Sequence, residues 1–137
     1  MIGRTVDAVK NYTEALRLNP KKVECYYNLG NAYCSSGEFK EAIQYYLQTI
    51  NLDSRHDPAF YNLGYAYHLI GDYDQAIYSY RLALKLNPSS IECHYNLASA
   101  YNDHKDKENA LLHYQEALKL DPDNIQTLLN IGQLEID

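Results

Sequence analysis

Tryptophan is missing from this 137-residue chain and phenylalanine occurs only twice, whereas tyrosine occurs 15 times. Tyrosine packs its ring but keeps a polar tip, which suits helices buried on one side and wet on the other. Cysteine is also sparse. Cys25, Cys34 and Cys93 form an odd set with no CxxC pair and no histidine at zinc-finger spacing, which excludes a disulfide framework and a structural zinc site. Cys25 and Cys93 share one repeat position where small residues pack, and they read as buried thiols. Free thiols point to a reducing compartment, cytoplasmic or nuclear. No apolar run reaches membrane length and no signal or transit peptide is present, so no membrane partner is expected. Basic residues are outnumbered, 12 against 18 acids with a net charge of -6, which argues against a nucleic-acid backbone as ligand.

Catalytic signatures are missing as well. There is no phosphate-cradling glycine loop, no HExxH and no nucleophile motif, so neither an enzyme nor a cofactor is expected. His56, His68, His94, His104 and His113 fall at unrelated positions and read as solvated histidines. Asp103, His104 and Asp106 match no standard metal loop and read as a polar turn.

What is there is a period. Tyr27-Asn28-Leu29-Gly30, Tyr61-Asn62-Leu63-Gly64 and Tyr95-Asn96-Leu97-Ala98 recur at steps of 34 residues. A unit of that length cannot bury its apolar face alone and must stack on copies of itself. Within 23–56, Tyr26, Leu29, Gly30 and Tyr33 make the i, i+3, i+4, i+7 stripe of a first helix. Ser36-Gly37-Glu38 breaks it, and Phe39, Ala42, Ile43, Tyr46 and Ile50 mark a second. Units 57–90 and 91–124 repeat the pattern. Residues 1–22 read as the second helix of a partial unit and 125–137 as the first helix of another, giving eight helices in one array over 1–137. In the third unit Lys105 stands where the turn glycine belongs, so an Asn or Asp of Asn102-Asp103-His104-Lys105-Asp106 is expected to take the left-handed cap.

These residues resemble the tetratricopeptide repeat family over essentially the whole chain. Phe60, Leu63-Gly64, Tyr67, Ala76, Tyr80, Ala83 and Pro88 match the family's bulky, Leu-Gly, Tyr, Ala, aromatic, Ala and Pro positions in turn. The resemblance implies an all-α fold, an α-solenoid of antiparallel helix-turn-helix repeats wound as a right-handed superhelix. It implies a non-catalytic scaffold or adaptor whose first helices line a concave groove for an extended peptide of a partner protein. Carried onto this chain, the groove positions are Tyr27, Asn28 and Asn31, then Tyr61, Asn62, Tyr65 and His68, then Glu92, Tyr95, Asn96 and Ser99, with Asn130 in the last helix.

The asparagine series resembles that of the superhelix of O-linked N-acetylglucosamine transferase, where such amides grip peptide backbones. Asn-Leu-Gly is also the family's commonest wording, so the fold alone accounts for it equally. Asn62 and Asn96 are expected on an exposed face. Tyr27, Tyr61 and Tyr95 lie beside the buried position rather than on it. Co-chaperones of the family clamp carboxylates with Lys, Asn, Asn, Lys and Arg. The matching residues here are Tyr27, Asn31, Asn62, Glu92 and Asn96, with every cation lost.

No Lys or Arg falls in any first helix, so a neutral or basic peptide is expected. Two alternatives have a different chemistry: a substrate-gathering region of a larger enzyme such as a protein O-glycosyltransferase, and a self-assembling scaffold. The last is expected to use Leu128 and Leu134 of the final helix and Val6, Val9 and Tyr12 of the first, as surfaces without a covering partner.

Overall fold

The structure, a computed structural model, describes residues 3–136. Within them run eight α-helices and no strand: α1 Gly3–Leu18, α2 Val23–Ser35, α3 Phe39–Leu52, α4 Asp57–Leu69, α5 Tyr73–Leu86, α6 Ile91–Asp103, α7 Lys107–Leu120 and α8 Ile125–Ile136. Each helix packs on the next in the chain. The even-numbered helices also touch directly, α2 with α4 and α4 with α6. The result is the all-α helical-repeat solenoid that the periodicity predicts, with the even helices forming one continuous inner layer.

Starts and stops follow local chemistry. His56, Asp72, Ser90, Asp106 and Asn124 each accept a backbone N–H from three residues on, satisfying a donor that the first helical turn leaves unpaired. The three tight turns share one backbone. Glu38 N–H donates to Tyr33 C=O, Asp72 N–H to Tyr67 C=O and Asp106 N–H to Tyr101 C=O, at 2.9, 3.0 and 2.8 Å. This six-to-one closure needs a left-handed residue just before the donor. Gly37 and Gly71 supply it at φ 76 and 85°, and Lys105 supplies it at φ 66°. The lysine itself takes the strained conformation, not a neighbouring Asn or Asp. The six-to-one closure fixes which residue must be left-handed, and side-chain preference does not move it.

The hairpins close on aromatic rings. A Cβ added at Gly30 would stand 2.6 Å from the Tyr46 ring, and one at Gly64 2.8 Å from the Tyr80 ring. Small residues at these points let α2 meet α3 and α4 meet α5. One core cluster joins Ala42, Ile43, Tyr46, Leu63 and Ala66. A larger one runs from Ala76 and Tyr80 through Cys93, Leu97, Ala98 and Tyr114 to Leu134. Cys25 and Cys93 are buried, and burial pushes the Cys93 thiol up to about 12. Leu134 is therefore not part of an uncovered surface. It is 5 % exposed, whereas Ile125, Leu128, Leu129 and Ile136 of α8 are open to solvent.

Candidate binding groove

The inner face is built from a side-chain ladder between successive even helices. Asn62 Nδ2 on α4 donates to Tyr27 Oη on α2 at 3.1 Å, Asn96 Nδ2 on α6 donates to Tyr61 Oη on α4, and Asn130 Nδ2 on α8 donates to Tyr95 Oη on α6 at 2.8 Å. Each rung spans 35 residues. Asn62 and Asn96 are thus half-buried rather than on an exposed face, because each amide already has a partner one helix back. The tyrosines are likewise part of the packing. Tyr27 tilts against Tyr46, Tyr61 against Tyr80 and Tyr95 against Tyr114, with ring centres 5.5–6.1 Å apart. That is the range in which tilted aromatic pairs attract.

A second set of bonds ties this layer to the odd helices. Tyr46 Oη donates to Asn31 Oδ1 at 2.7 Å, and the same oxygen accepts from Asn62 Nδ2 at 3.1 Å. The Tyr114 phenol meets Ser99 and Asn130, and burial pushes it up to about 12. Between them Tyr80 is fully buried and its hydroxyl has no partner among the described residues. The residue equivalent to Asn31 and Ser99 is Tyr65, which is exposed and makes no hydrogen bond to Tyr80. The ladder leaves a defined set of groups unspent. Asn62 Oδ1 and Asn96 Oδ1 are acceptors without a side-chain partner among the described residues, and the Tyr27 and Tyr61 hydroxyls still carry a hydrogen.

Three cavities follow the inner face. One of about 270 Å³ lies between α1 and α2 against Arg4, Tyr12, Asn28, Asn31 and Ser35. One of about 480 Å³ holds Asn31, Cys34, Tyr46, Asn62 and Tyr65. One of about 280 Å³ lies between α6 and α8 and includes Glu92, Tyr95 and Asn96. Arg4 corrects the expectation of a groove without cations. The even helices carry none, but this arginine on α1 enters from the neighbouring layer. Its spacing to Ala8 and Tyr12, four residues each, is the sequence signal that places all three on one helix face.

Of the histidines, His104 is exposed as expected, whereas His56, His68, His94 and His113 are half-buried. His68 Nε2 lies 2.6 Å from Asp103 Oδ2, its side chain 14 % exposed, so it bridges α4 and α6 instead of standing free beside Tyr65. His104 meets Asp74 at 3.1 Å. His94 Nε2 faces the Pro88 carbonyl and His94 Nδ1 lies 3.3 Å from His113 Nδ1. Among the described residues no cluster of three His, Cys, Asp or Glu can hold a metal ion, and no helix is long and apolar enough to cross a membrane.

The comparisons agree with this architecture. Solved structures of the same shape include a crystal structure of MamA, with TM-score 0.93, 26 % identity, and coverage of 96 % of this chain and 77 % of that one. MamA 41-end from Desulfovibrio magneticus RS-1 superimposes with TM-score 0.93 at 23 % identity, over 98 % and 76 %. The first TPR of Spaghetti (RPAP3) bound to HSP90 peptide SRMEEVD gives TM-score 0.80 at 24 % identity, over 83 % and 90 %. The last two show likeness of fold alone. No curated protein matches the sequence. A sequence profile described as tetratricopeptide repeat matches residues 58–90 and 91–124, and one described as TPR repeat matches 2–33 and 30–71. With nearly every residue covered and the helical hairpins stacked as described, the chain belongs to the tetratricopeptide repeat family, whose fold generally serves as a protein-interaction scaffold.

Proposed function

We propose that the inner face of α2, α4, α6 and α8 holds an extended peptide segment of a partner protein, without catalysis, and prefers neutral or basic segments. The observation that carries this reading is the alternation left by the ladder. Amide oxygens at Asn62 and Asn96 are free to accept and tyrosine hydroxyls beside them are free to donate. An extended backbone offers N–H and C=O groups in alternation, so such a face pairs with both. In this reading Asn28, Asn31, Tyr65, Ser99 and Asn130 extend the contact along the array. The RPAP3 neighbour holds an acidic peptide. Here the positions matched to a carboxylate clamp, Tyr27, Asn31, Asn62, Glu92 and Asn96, carry no cation, which favours a different ligand charge.

The test separates ligand contact from scaffolding. Asn62→Ala with Asn96→Ala removes both rungs and both free oxygens. Tyr46→Phe is the scaffold control, because it removes the buried bond to Asn31 and leaves the Asn62 and Asn96 oxygens and the Tyr27 and Tyr61 hydroxyls in place. Peptide affinity, measured by anisotropy on an extended-peptide library, should fall by about tenfold or more in the asparagine pair, at about 1 kcal/mol per lost bond. Tyr46→Phe should lose thermal stability with far less change in affinity. Equal loss of affinity in the asparagine pair and in Tyr46→Phe would reduce the ladder to scaffolding.

A second reading, self-association, rests on α8, where Ile125 and Leu129 are 72 and 61 % exposed beside Leu128 and Ile136. Contiguous apolar exposure of this kind marks an association surface. Leu128→Glu with Leu129→Glu should then lower the sedimentation coefficient at high concentration, and an unchanged value would remove this reading.

A further inference from the structure

We infer that the cavity between α6 and α8 is a subsite for one lysine or arginine side chain of the bound segment, with Glu92 as its counter-charge. The inference rests on the groove reading above and assigns to it one position and one residue type. The cavity, about 280 Å³, is walled by Ile91 and Tyr95 and rimmed by Glu92, Asn96, Asn124 and Gln126. Its polar atoms are biased toward accepting. Asn96 donates to Tyr61, Gln126 Nε2 donates to Asn130 Oδ1 at 3.3 Å, and Asn124 Nδ2 donates to Asp121 at 3.3 Å. Each amide has therefore spent a donor within the array. The Asn96 and Gln126 oxygens have no side-chain partner among the described residues, while the Asn124 oxygen caps α8 through Thr127.

Glu92 makes no ion pair among the described residues, in contrast to Glu14, Glu24 and Glu116, which each meet a nearby Arg or Lys. No cation lies on α6 or α8, and the turn between α7 and α8 reads Asp121-Pro122-Asp123-Asn124. The first turns of α6 and α8 oppose this with about half an elementary charge each. That partial charge is confined to the helix ends, and the two aspartates of the turn offset it further. The field of Glu92 reaches the groove floor, where it adds to burial in pushing the Tyr61 phenol up to about 12.

An apolar wall with acceptors at its rim suits a long aliphatic stem carrying a terminal donor cation. An acidic side chain meets a like charge there and no uncommitted cation. The opposite end of the inner face has the reverse character, since the cavity between α1 and α2 is lined by Arg4 with Asn28 and Asn31. A basic residue is thus sorted to the α6–α8 end, which fixes the direction in which a segment with one basic end lies.

The experiment uses the whole chain and a library of extended ten-residue peptides on an alanine–serine background, each bearing one Lys, Glu or Ala at a scanned position. Wild type is expected to bind the best lysine peptide about tenfold more tightly than its alanine counterpart, roughly one partly desolvated charge pair. Glu92→Gln should abolish that preference, the ratio of lysine-peptide to alanine-peptide affinity falling to about one. Glu24→Gln, the same repeat position on α2, should keep the preference. An undiminished lysine preference in Glu92→Gln overturns the subsite while the groove reading survives. Absence of binding to every peptide by wild type overturns both.

Discussion

Hairpins α4–α5 and α6–α7 occupy the same slot in the array yet fill it differently. At the closest approach the first uses Gly64 against Tyr80, whereas the second has Ala98 in the same core cluster as Tyr114. The turn is Gly71 in one and Lys105 in the other. The buried hydroxyl is orphaned at Tyr80 and partnered at Tyr114. Where the first has Phe60 and Ser79, the second has the facing pair His94 and His113. The repeat fixes a backbone and a volume, and each hairpin meets that volume with its own compromise. A substitution harmless in one copy is therefore expected to be harmful in the other.

The largest difference should come from the small position. Gly64→Ala pushes a Cβ to within 2.8 Å of a ring that is itself fully buried, so the ring and the helix behind it must shift. Overpacking of this kind costs about 1–3 kcal/mol. The second hairpin accommodates the same methyl at Ala98, where the Tyr95 and Tyr114 rings stand closer to perpendicular, 67° against 56° for Tyr61 and Tyr80. Thermal melts followed by helical signal should show Gly64→Ala well below wild type. A melt matching wild type would mean that the Tyr80 ring turns freely and that the two slots are equivalent.

Next come the hydroxyls. Tyr114→Phe deletes a partnered group and should lose about 1 kcal/mol, as should Tyr46→Phe, whose bond to Asn31 is 2.7 Å. Tyr80→Phe deletes a buried group without a partner and should be neutral or stabilising. Similar losses at all three sites in chemical denaturation would contradict the assignment of Tyr80 as the orphan.

The turn should respond in the opposite sense. A left-handed residue with a side chain is strained by roughly 1–2 kcal/mol, and part of that gain is returned through the greater freedom of glycine in the unfolded chain. Lys105→Gly is therefore expected to stabilise by about 0.5–1 kcal/mol. Gly71→Lys should destabilise by a similar amount. A Lys105→Gly protein no more stable than wild type would show that the lysine makes a compensating contact.

This contrast also marks what the sequence could convey. Eight helices, their order and the family were legible because Gly30, Gly64, Tyr46 and Tyr80 recur in register, and the backbone obeys register. The ladder was not legible as a ladder. Asn62 and Tyr27 are each ordinary at their positions, and only the packing of α4 on α2 brings an amide to a hydroxyl 35 residues back. Arg4 was hidden for the same reason, since it reaches the inner face from the other layer. Lys105 stands where the turn glycine belongs, but side-chain preference does not assign it the left-handed conformation, which the bond from Asp106 to Tyr101 fixes. Leu134 reads as open surface in the sequence because nothing local marks that the core around Tyr114 extends over it.

The smallest expected effect, and one confined to the second hairpin, is a response to mild acid. The Pro88 carbonyl can only accept, so His94 carries its hydrogen on Nε2 and offers Nδ1 as an acceptor. His113 Nδ1–H then donates to it across 3.3 Å. Ring centres 5.6 Å apart exceed that separation by about two ring radii, so the nitrogens lie nearly on the line between the rings, as an N–H···N bond requires. Tyr101 stacks on the His113 ring, with centres 5.6 Å apart. Burial lowers the His113 pKa below its ordinary 6.5, the neighbouring His94 and Arg81 lower it further, and Glu116 opposes them. A base whose pKa is depressed by folding binds fewer protons folded than unfolded, so stability rises with pH in this range. The contribution is fully present above about 6.5 and is lost as pH falls through the depressed value. The unfolding midpoint of wild type should accordingly drop between pH 7.5 and 5.5 by more than that of His113→Gln, which keeps a polar side chain of similar length but cannot titrate. The corresponding hairpin α4–α5, with Phe60 and Ser79 at these places, supplies the converse, since Ser79→Ala should leave the pH dependence as it is in wild type. Parallel midpoint curves for wild type and His113→Gln would show that the pair is neutral to folding and that the two hairpins differ in this respect only in appearance.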